Sequence, residues 1–305
     1  MRIIDNSKNL KFKNPVIALG TFDGVHLGHI KILKNAVRFA KARGLRSLAI
    51  TFDPHPQEVV APKRGLRLLT TIEERAALIS KLGIDTLAVI KFDHGLRNLS
   101  SEDFVRKYLV RKLNAKYVFV GFDYAFGSKR KGGVGELRKL CKKYRFNVKV
   151  VHAVKIGKKV VKSSIIREFI SLGRFDKAVH FLGHPYPVHG KVMRGSGRGK
   201  FLGFPTANIH SSRHKLIPAH GVYVGYVYFG KQKKKCVVNI GARPTFAKDG
   251  IAVEVHIPDF KGNLLGKDLK VLLHKRLREE IQFSDVEELK KQIRKDILKA
   301  KRLKI

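Results

Sequence analysis

Two histidines three positions apart, His26 and His29, sit in the stretch Gly20-Thr21-Phe22-Asp23-Gly24-Val25-His26-Leu27-Gly28-His29, between the apolar run Val16 to Leu19 and a helix-like segment Ile30 to Arg43. Glycines at a strand-to-helix turn leave backbone N–H groups open to a ligand, and a helix N-terminus adds a field that favours anions. Imidazoles at this spacing share one helix face and can donate hydrogen bonds to the same phosphates as charge develops. The pattern fits phosphate handling, and it fits equally a glycine-rich turn with two surface histidines. No third metal ligand lies nearby at a familiar spacing, which argues against zinc.

The second half carries another such stretch. Gly195, Gly197 and Gly199 alternate with Arg194, Arg198 and Lys200 in a flexible basic loop suited to phosphates, without a Walker A pattern. The loop leads into Pro205-Thr206-Ala207-Asn208, where Thr206 offers a hard oxygen to Mg²⁺. The same four residues also read as a Pro-initiated turn with local hydrogen bonds. In Ile251-Ala252-Val253-Glu254-Val255-His256-Ile257, strict alternation puts the aliphatic residues on one face and Glu254 with His256 on the other. Glu254 is then either an exposed strand residue or a base facing a pocket.

The elements that must position these residues divide the chain in two. In the first half, strand-like runs Val16 to Leu19, Leu48 to Phe52, Thr86 to Lys91, Tyr117 to Gly121 and Asn147 to Val151 alternate with helical stretches Ile30 to Arg43, Thr71 to Leu82, Ser101 to Leu113 and Gly135 to Tyr144. That rhythm predicts a parallel, doubly wound α/β sheet whose ligands bind outside the strands' C-terminal ends. Character changes near His184-Pro185-Tyr186-Pro187, which reads as a linker or domain entry. Beyond it, Val222 to Phe229, Lys235 to Ile240, Ile251 to Ile257 and Leu269 to Leu273 predict a small antiparallel β-barrel. A C-terminal helix over Ser284 to Leu303 follows, capped by Ser284 with Glu287 completing a capping box, and striped by Val286, Leu289, Ile293 and Ile297. The predicted domains are residues 1–183 and 184–305.

Composition bounds the rest. The 305 residues supply apolar content for two cores. The opening Met1 to Pro15 is too polar for a signal peptide, and no run approaches a membrane span, so no membrane partner is expected. Cys141 and Cys236 lie far apart and outside any CxxC pattern, which suits a reducing cytoplasm. The formal net charge is +40, spread over both halves rather than gathered into a patch. Such a field attracts polyphosphates and anionic substrates, with RNA only nonspecifically, and no specific nucleic-acid partner is expected. No oligomeric state is legible.

The HxGH pattern after the first strand resembles the signature of the nucleotidyltransferase superfamily. The longer GTFDGVHLGH is similar to the adenylyltransferase module of bacterial bifunctional riboflavin kinase/FMN adenylyltransferases, the FAD synthetases. Further matches follow in the family's order: Thr51-Phe52-Asp53-Pro54-His55-Pro56, Val120 to Gly127 (VGFDYAFG), Ser163-Ser164-Ile165-Ile166-Arg167, and Gly203 to Asn208 (GFPTAN). The resemblance covers nearly the whole chain. It implies a Rossmann-like nucleotidyltransferase domain followed by a riboflavin kinase barrel, with riboflavin, FMN and ATP as substrates and Mg²⁺ accompanying ATP.

The resemblance also implies roles. His26 and His29 would bind ATP phosphates and stabilise the transition state, with Gly20, Phe22, Gly28 and His55 around the same phosphates. Ser163, Ser164 and Arg167 would contact the departing pyrophosphate. Asp123 would be a polar contact to the flavin. In the kinase module, Gly195, Gly197, Lys200, Thr206 and Asn208 would hold Mg-ATP, with Thr206 on the metal, while Glu254 would be the base. Arg276 to Glu280 with Phe283 matches the segment before the C-terminal helix, where Arg278 is a flavin or phosphate contact or one member of a surface charge cluster. Four positions depart from the family pattern. Lys162 stands where the family's motif begins with serine and Ser164 where threonine is usual; Asn263 and Leu265 replace Asp and Tyr.

Overall fold

Apolar runs bounded by turn residues become strands, and amphipathic segments become the helices that cover them. A computed structural model describes residues 1–5, 12–242 and 251–305. In chain order the elements are β1 (Arg2–Asp5), β2 (Val16–Leu19), α1 (Leu27–Lys41), β3 (Ser47–Asp53), α2 (Pro56–Val60), α3 (Ile72–Ser80), β4 (Thr86–Lys91), α4 (His94–Asn98), α5 (Ser101–Phe104, running on as a π-helix over Val105–Lys112), β5 (Tyr117–Gly121), α6 (Val134–Lys143) and β6 (Asn147–Val151). A short hairpin, β7 (Lys155–Ile156) and β8 (Lys159–Val160), leads to α7 (Ser163–Ser171) and α8 (Phe175–Leu182). Then come β9 (Tyr186–Met193), α9 (Arg198–Phe201), β10 (Thr206–His210), β11 (Gly221–Phe229), β12 (Gln232–Ala242), β13 (Ile251–His256), β14 (Asp268–Arg278) and α10 (Val286–Arg302).

Two compact units result, Met1–Ser163 and Ser164–Ile305. The first contains a parallel six-stranded sheet in the order β1-β4-β3-β2-β5-β6. Helices cover both faces. Ile32, Leu33, Ala36, Val37 and Ala40 of α1 pack with Val16 and Ala18 in one core, and Leu137 and Leu140 of α6 with Ile17, Leu19 and Val120 in the other. Strand order reverses at β2, which pairs with β3 on one side and β5 on the other, so the ligand crevice of such a sheet lies outside the C-terminal ends of β2 and β5. Asp85, just before β4, accepts hydrogen bonds from the Ser47 amide at 2.8 Å and the Ser47 hydroxyl at 2.7 Å, which sets the start of β3 against β4. Strand β1 lies in a segment too short and polar to show in the sequence reading, and it pairs in parallel with β4.

The second unit is a closed antiparallel barrel in the order β10-β13-β12-β11-β14-β9. Helix α10 packs on its outside, where Ala300, Ile297 and Leu303 meet Val222, Val224, Val237 and Leu277. Two barrel strands replace what sequence alone reads as linker and turn. His184 to Pro187 leads straight into β9, because Tyr186 is fully buried with its hydroxyl donating to the Leu216 carbonyl at 2.6 Å. Thr206 and Asn208 lie on β10. The cap of α10 is Asp285, whose side chain accepts from the Glu288 amide at 2.8 Å, while Ser284 donates to the Glu288 carboxylate. Val286 is exposed and the helix buries Asp296 and Ala300 instead. Residues 164–183, placed in the first domain by the sequence division after residue 183, count structurally with the barrel. Phe175 of α8 packs edge-on against Tyr223, 5.0 Å between ring centres.

Candidate functional site

The turn after β2 is held by a buried polar network. Asp23 is fully buried and accepts from the Thr70 amide at 2.9 Å, the Thr70 hydroxyl at 3.1 Å and the Leu69 amide at 3.1 Å. Arg75, 2% exposed, donates to the Thr51 hydroxyl at 2.8 Å and lies 3.9 Å from Asp23. Thr51 in turn donates to the Thr21 carbonyl at 2.7 Å. Burial pushes the Arg75 guanidinium below its ordinary value, opposed by Asp23 and by the carboxylates of Asp53, Glu58 and Glu74. The network fixes a backbone that needs fixing. Phe22 and Val25 sit at φ of 51° and 40°, left-handed conformations that non-glycine residues adopt only when their surroundings impose them. Sequence reasoning passed over Thr70 and Arg75 because neither lies in a motif; the buried charge appears only once the loops are brought together.

On this turn the histidines meet. His26 caps α1, its Nδ1 accepting from the His29 amide at 3.3 Å, which in the neutral ring puts the remaining proton on Nε2 as a donor. The two rings stack with centroids 3.6 Å apart at 14°. Gly28 allows this: a Cβ there would lie 3.2 Å from the His26 ring. Phe22 has no exposed surface and presses edge-on to His29 at 5.3 Å, so its ring belongs to the core and only its backbone can reach a ligand. Gly20 directly follows β2, and a Cβ on it would press on the Phe22 ring at 3.1 Å. His55 caps α2, accepting from the Gln57 amide at 3.2 Å while its own amide donates to Glu58. The same acceptor role at Nδ1 leaves its Nε2 as the donor.

Around this centre, Ser163 donates to the Asp23 carbonyl at 2.9 Å, tying the start of α7 to the turn. Ser164 and Arg167 belong to the second compact unit. Asp123, half exposed, pairs with Lys162 at 3.3 Å. Tyr124 and Phe126 stack on each other at 5.5 Å as packing aromatics, whereas Phe122 stays 42% exposed.

In the barrel, strand register assembles a second centre. Asn208 of β10 stands directly opposite Glu254 of β13, which stands directly opposite Asn239 of β12. Opposed residues in antiparallel strands point to the same face, so a carboxylate is flanked by two amides. Asn239 was not singled out from sequence, since only the register reveals it. Two cavities meet at this row. One, about 370 Å³, is lined by Arg194, Gly195, Gly197, Lys200, Thr206, Asn208 and Glu254. The other, about 680 Å³, shares Thr206, Asn208 and Glu254 and adds Asn239, Val237, Phe283, Leu289 and Ile293. The first gathers Arg194, Arg198 and Lys200 beside its glycines, suited to phosphates; the second shares Arg194 and Arg198 and adds an apolar wall of Val222, Val237, Phe283, Leu289 and Ile293, suited to a flat ring system. Gly195 supports Asn208 rather than merely loosening the loop: a Cβ there would fall 2.6 Å from Asn208 Cγ. Gly197, at φ 76°, precedes α9.

Arg278 occupies the larger cavity's wall but is already engaged. Its Nε donates to Asp296 at 2.9 Å and its Nη2 lies 2.8 Å from the same carboxylate, with Asp296 only 5% exposed on α10. This clamp holds α10 against the barrel, and with it Leu289 and Ile293 at the cavity wall. Among the described residues, no cluster of three His, Cys, Asp or Glu side chains is placed to hold a metal. The hard oxygens available, from Thr206, Asn208 and Glu254, suit Mg²⁺ brought in with phosphate oxygens and water, which would supply most of its shell.

The FAD synthetase family matches residues 8–165 and the riboflavin kinase family residues 182–304. A bifunctional riboflavin kinase/FMN adenylyltransferase of Buchnera aphidicola subsp. Schizaphis graminum is 36% identical over 304 residues, covering 97% of each chain. One of Listeria monocytogenes is 37% identical, covering 93% of this chain and 90% of the relative. A crystal structure described as a macrolide-efflux protein from Streptococcus pneumoniae superposes with a TM-score of 0.88 at 29% identity over 100% of both chains. Efflux is said of that protein; among the described residues here, no helix is long and apolar enough to cross a membrane. Matched by both family models and by relatives over nearly its whole length, this chain belongs to the bifunctional riboflavin kinase/FMN adenylyltransferase family.

Proposed function

We propose that the chain makes flavin cofactors in two steps: riboflavin and ATP give FMN and ADP, and FMN and ATP give FAD and pyrophosphate. The observation that carries the kinase step is the row Asn208, Glu254 and Asn239, of which Asn208 and Glu254 line both the basic glycine-loop cavity and the larger cavity with the apolar wall, and Asn239 the larger one. ATP phosphates enter from the basic side and the riboflavin hydroxymethyl end from the apolar side. Glu254 takes the proton of the 5′-hydroxyl as its oxygen bonds to the γ-phosphorus and the bond to ADP breaks. Gly195, Gly197 and Lys200 place the phosphates, with Thr206 and Asn208 as the oxygens toward Mg²⁺, which when bound neutralises charge on the transferring group. Positioning outweighs the base in such a transfer. Arg278 acts on the flavin side through the wall it clamps with Asp296.

Adenylyl transfer is assigned to the sheet. The terminal phosphate of FMN attacks the α-phosphorus of ATP directly, and pyrophosphate leaves with the bonding pair. The chain's own work is alignment and charge stabilisation by His26 and His29 donors, the backbone from Gly20 through Gly28, and His55. Ser164 and Arg167 receive the pyrophosphate, with Ser163 anchored beside them on the Asp23 carbonyl, and Asp123 faces the flavin. Functionally the division falls after residue 183. A cytoplasmic setting belongs to the same reading, supported by two free cysteines, Cys141 and Cys236, and the spread of positive charge calls for no dedicated nucleic-acid partner. Chromatographic separation of flavins after incubation with Mg²⁺ and ATP tests the whole. Reactions begun from riboflavin should show FMN and then FAD, those begun from FMN should show FAD, and a folded protein yielding neither product removes the proposal.

A further inference from the structure

Lys162 is one of the departures from the family motif, and its placement gives it a task. The segment before it is packed onto the catalytic turn: Val161 is buried, its carbonyl lying 3.7 Å from where a Cβ on Gly28 would sit, and Ser163 donates to the Asp23 carbonyl at 2.9 Å. The residue between these two anchors is exposed, and its ammonium reaches to Asp123, 3.3 Å away, in the loop after β5. Nζ stands 5.5 Å from the ring centre of Phe122, a large apolar side chain left 42% exposed beside it. The Lys162–Asp123 pair therefore links the loop after β5 to a segment packed on the turn after β2. That loop and that turn bound the crevice where strand order reverses.

We propose that Lys162 is a positioning residue for the attacking phosphate of FMN, held by Asp123 until that phosphate takes Asp123's place. This rests on the adenylyltransferase reading. Adenylyl transfer must bring a phosphate monoester anion against the phosphates of ATP, and a mobile cation at the crevice mouth offsets that repulsion. An exposed pair such as Lys162–Asp123 is held weakly, so a phosphate dianion competes well for the ammonium. Phe122 offers an adjoining apolar surface for the body of the flavin. The histidines address the phosphates of ATP and Lys162 the acceptor, so the two sets of groups affect different kinetic constants.

The test is the KM for FMN in FAD synthesis by the full-length protein, with the KM for ATP measured in parallel and the urea midpoint of the sheet domain confirming the fold. Lys162→Met should raise the KM for FMN about tenfold, the scale of losing one charge-assisted hydrogen bond, and leave the KM for ATP unchanged; Lys162→Arg should restore most of the loss. An unchanged KM for FMN in Lys162→Met, or a rise confined to the KM for ATP, overturns the assignment while leaving the adenylyltransferase reading intact. A native protein that makes no FAD from FMN overturns both.

Discussion

Replacing Gly195 by alanine should disable the kinase while sparing FAD synthesis from FMN. A Cβ at this position would lie 2.6 Å from Asn208 Cγ, with the amide nitrogen closer still, whereas ordinary contact begins near 3.4 Å. Asn208 must therefore retreat by at least about 0.8 Å at Cγ and further at its amide nitrogen, or the loop must lift by as much. Either motion shifts the amide relative to Glu254, its direct neighbour on the next strand. Misplacement of this order at a reacting centre costs up to about 100-fold in rate. The assay is initial-rate FMN formation from riboflavin and ATP, with the urea midpoint of the barrel domain as the control for folding and FAD formation from supplied FMN as the control for the other centre. The kinase kcat should fall by about one to two orders of magnitude. A Gly195→Ala protein with native kinase kcat would refute the claim that Gly195 exists to let Asn208 approach.

Other substitutions separate the two centres. His29→Ala should stop FAD formation and leave FMN formation intact, while Glu254→Ala should do the reverse when FMN is supplied; product chromatography on each protein checks both. Asp23→Ala leaves the nearly buried Arg75 without its closest carboxylate and should cost about 3–5 kcal/mol of stability in the sheet domain, read as a lower urea midpoint with loss of FAD synthesis. For Asp85, burial alone would raise the carboxyl, but hydrogen bonds from the Ser47 amide and hydroxyl and from Arg46 outweigh it and hold the group below its usual range. Its stabilising contribution is therefore present above the unfolded value of about 3.9 and fades as pH falls through the lower folded value. Asp85→Asn should lower the urea midpoint at pH 7 and converge with the native protein in strong acid; an equal gap at both pH values would contradict this.

Sequence reading reached the sheet and most of the barrel because apolar runs and helical stripes report burial directly. Strands β2, β4, β5 and β6 stand where the runs placed them. It missed β1, β9 and β10, whose short or Pro- and Asn-containing segments resemble loops and become strands only when a partner supplies the hydrogen bonds. The His26 and His29 turn was visible as a local string. The row Asn208, Glu254 and Asn239 was visible only in part, since register between strands far apart in sequence leaves no periodic trace. Likewise Arg278 reads as a flavin or phosphate contact or a surface charge until folding brings Asp296 of α10 against it, and Ser284 yields the cap to Asp285 because the helix begins at Val286.

The central claim is that one chain transfers two different phosphorus groups of ATP to the flavin. Labelling ATP at its γ- or its α-phosphorus and following the label after addition of riboflavin and Mg²⁺ tests it most directly. The account predicts γ-label in FMN and then in FAD, and α-label in FAD alone, with released pyrophosphate. A folded protein that carries neither label into a flavin, or that places α-label in FMN, would contradict it.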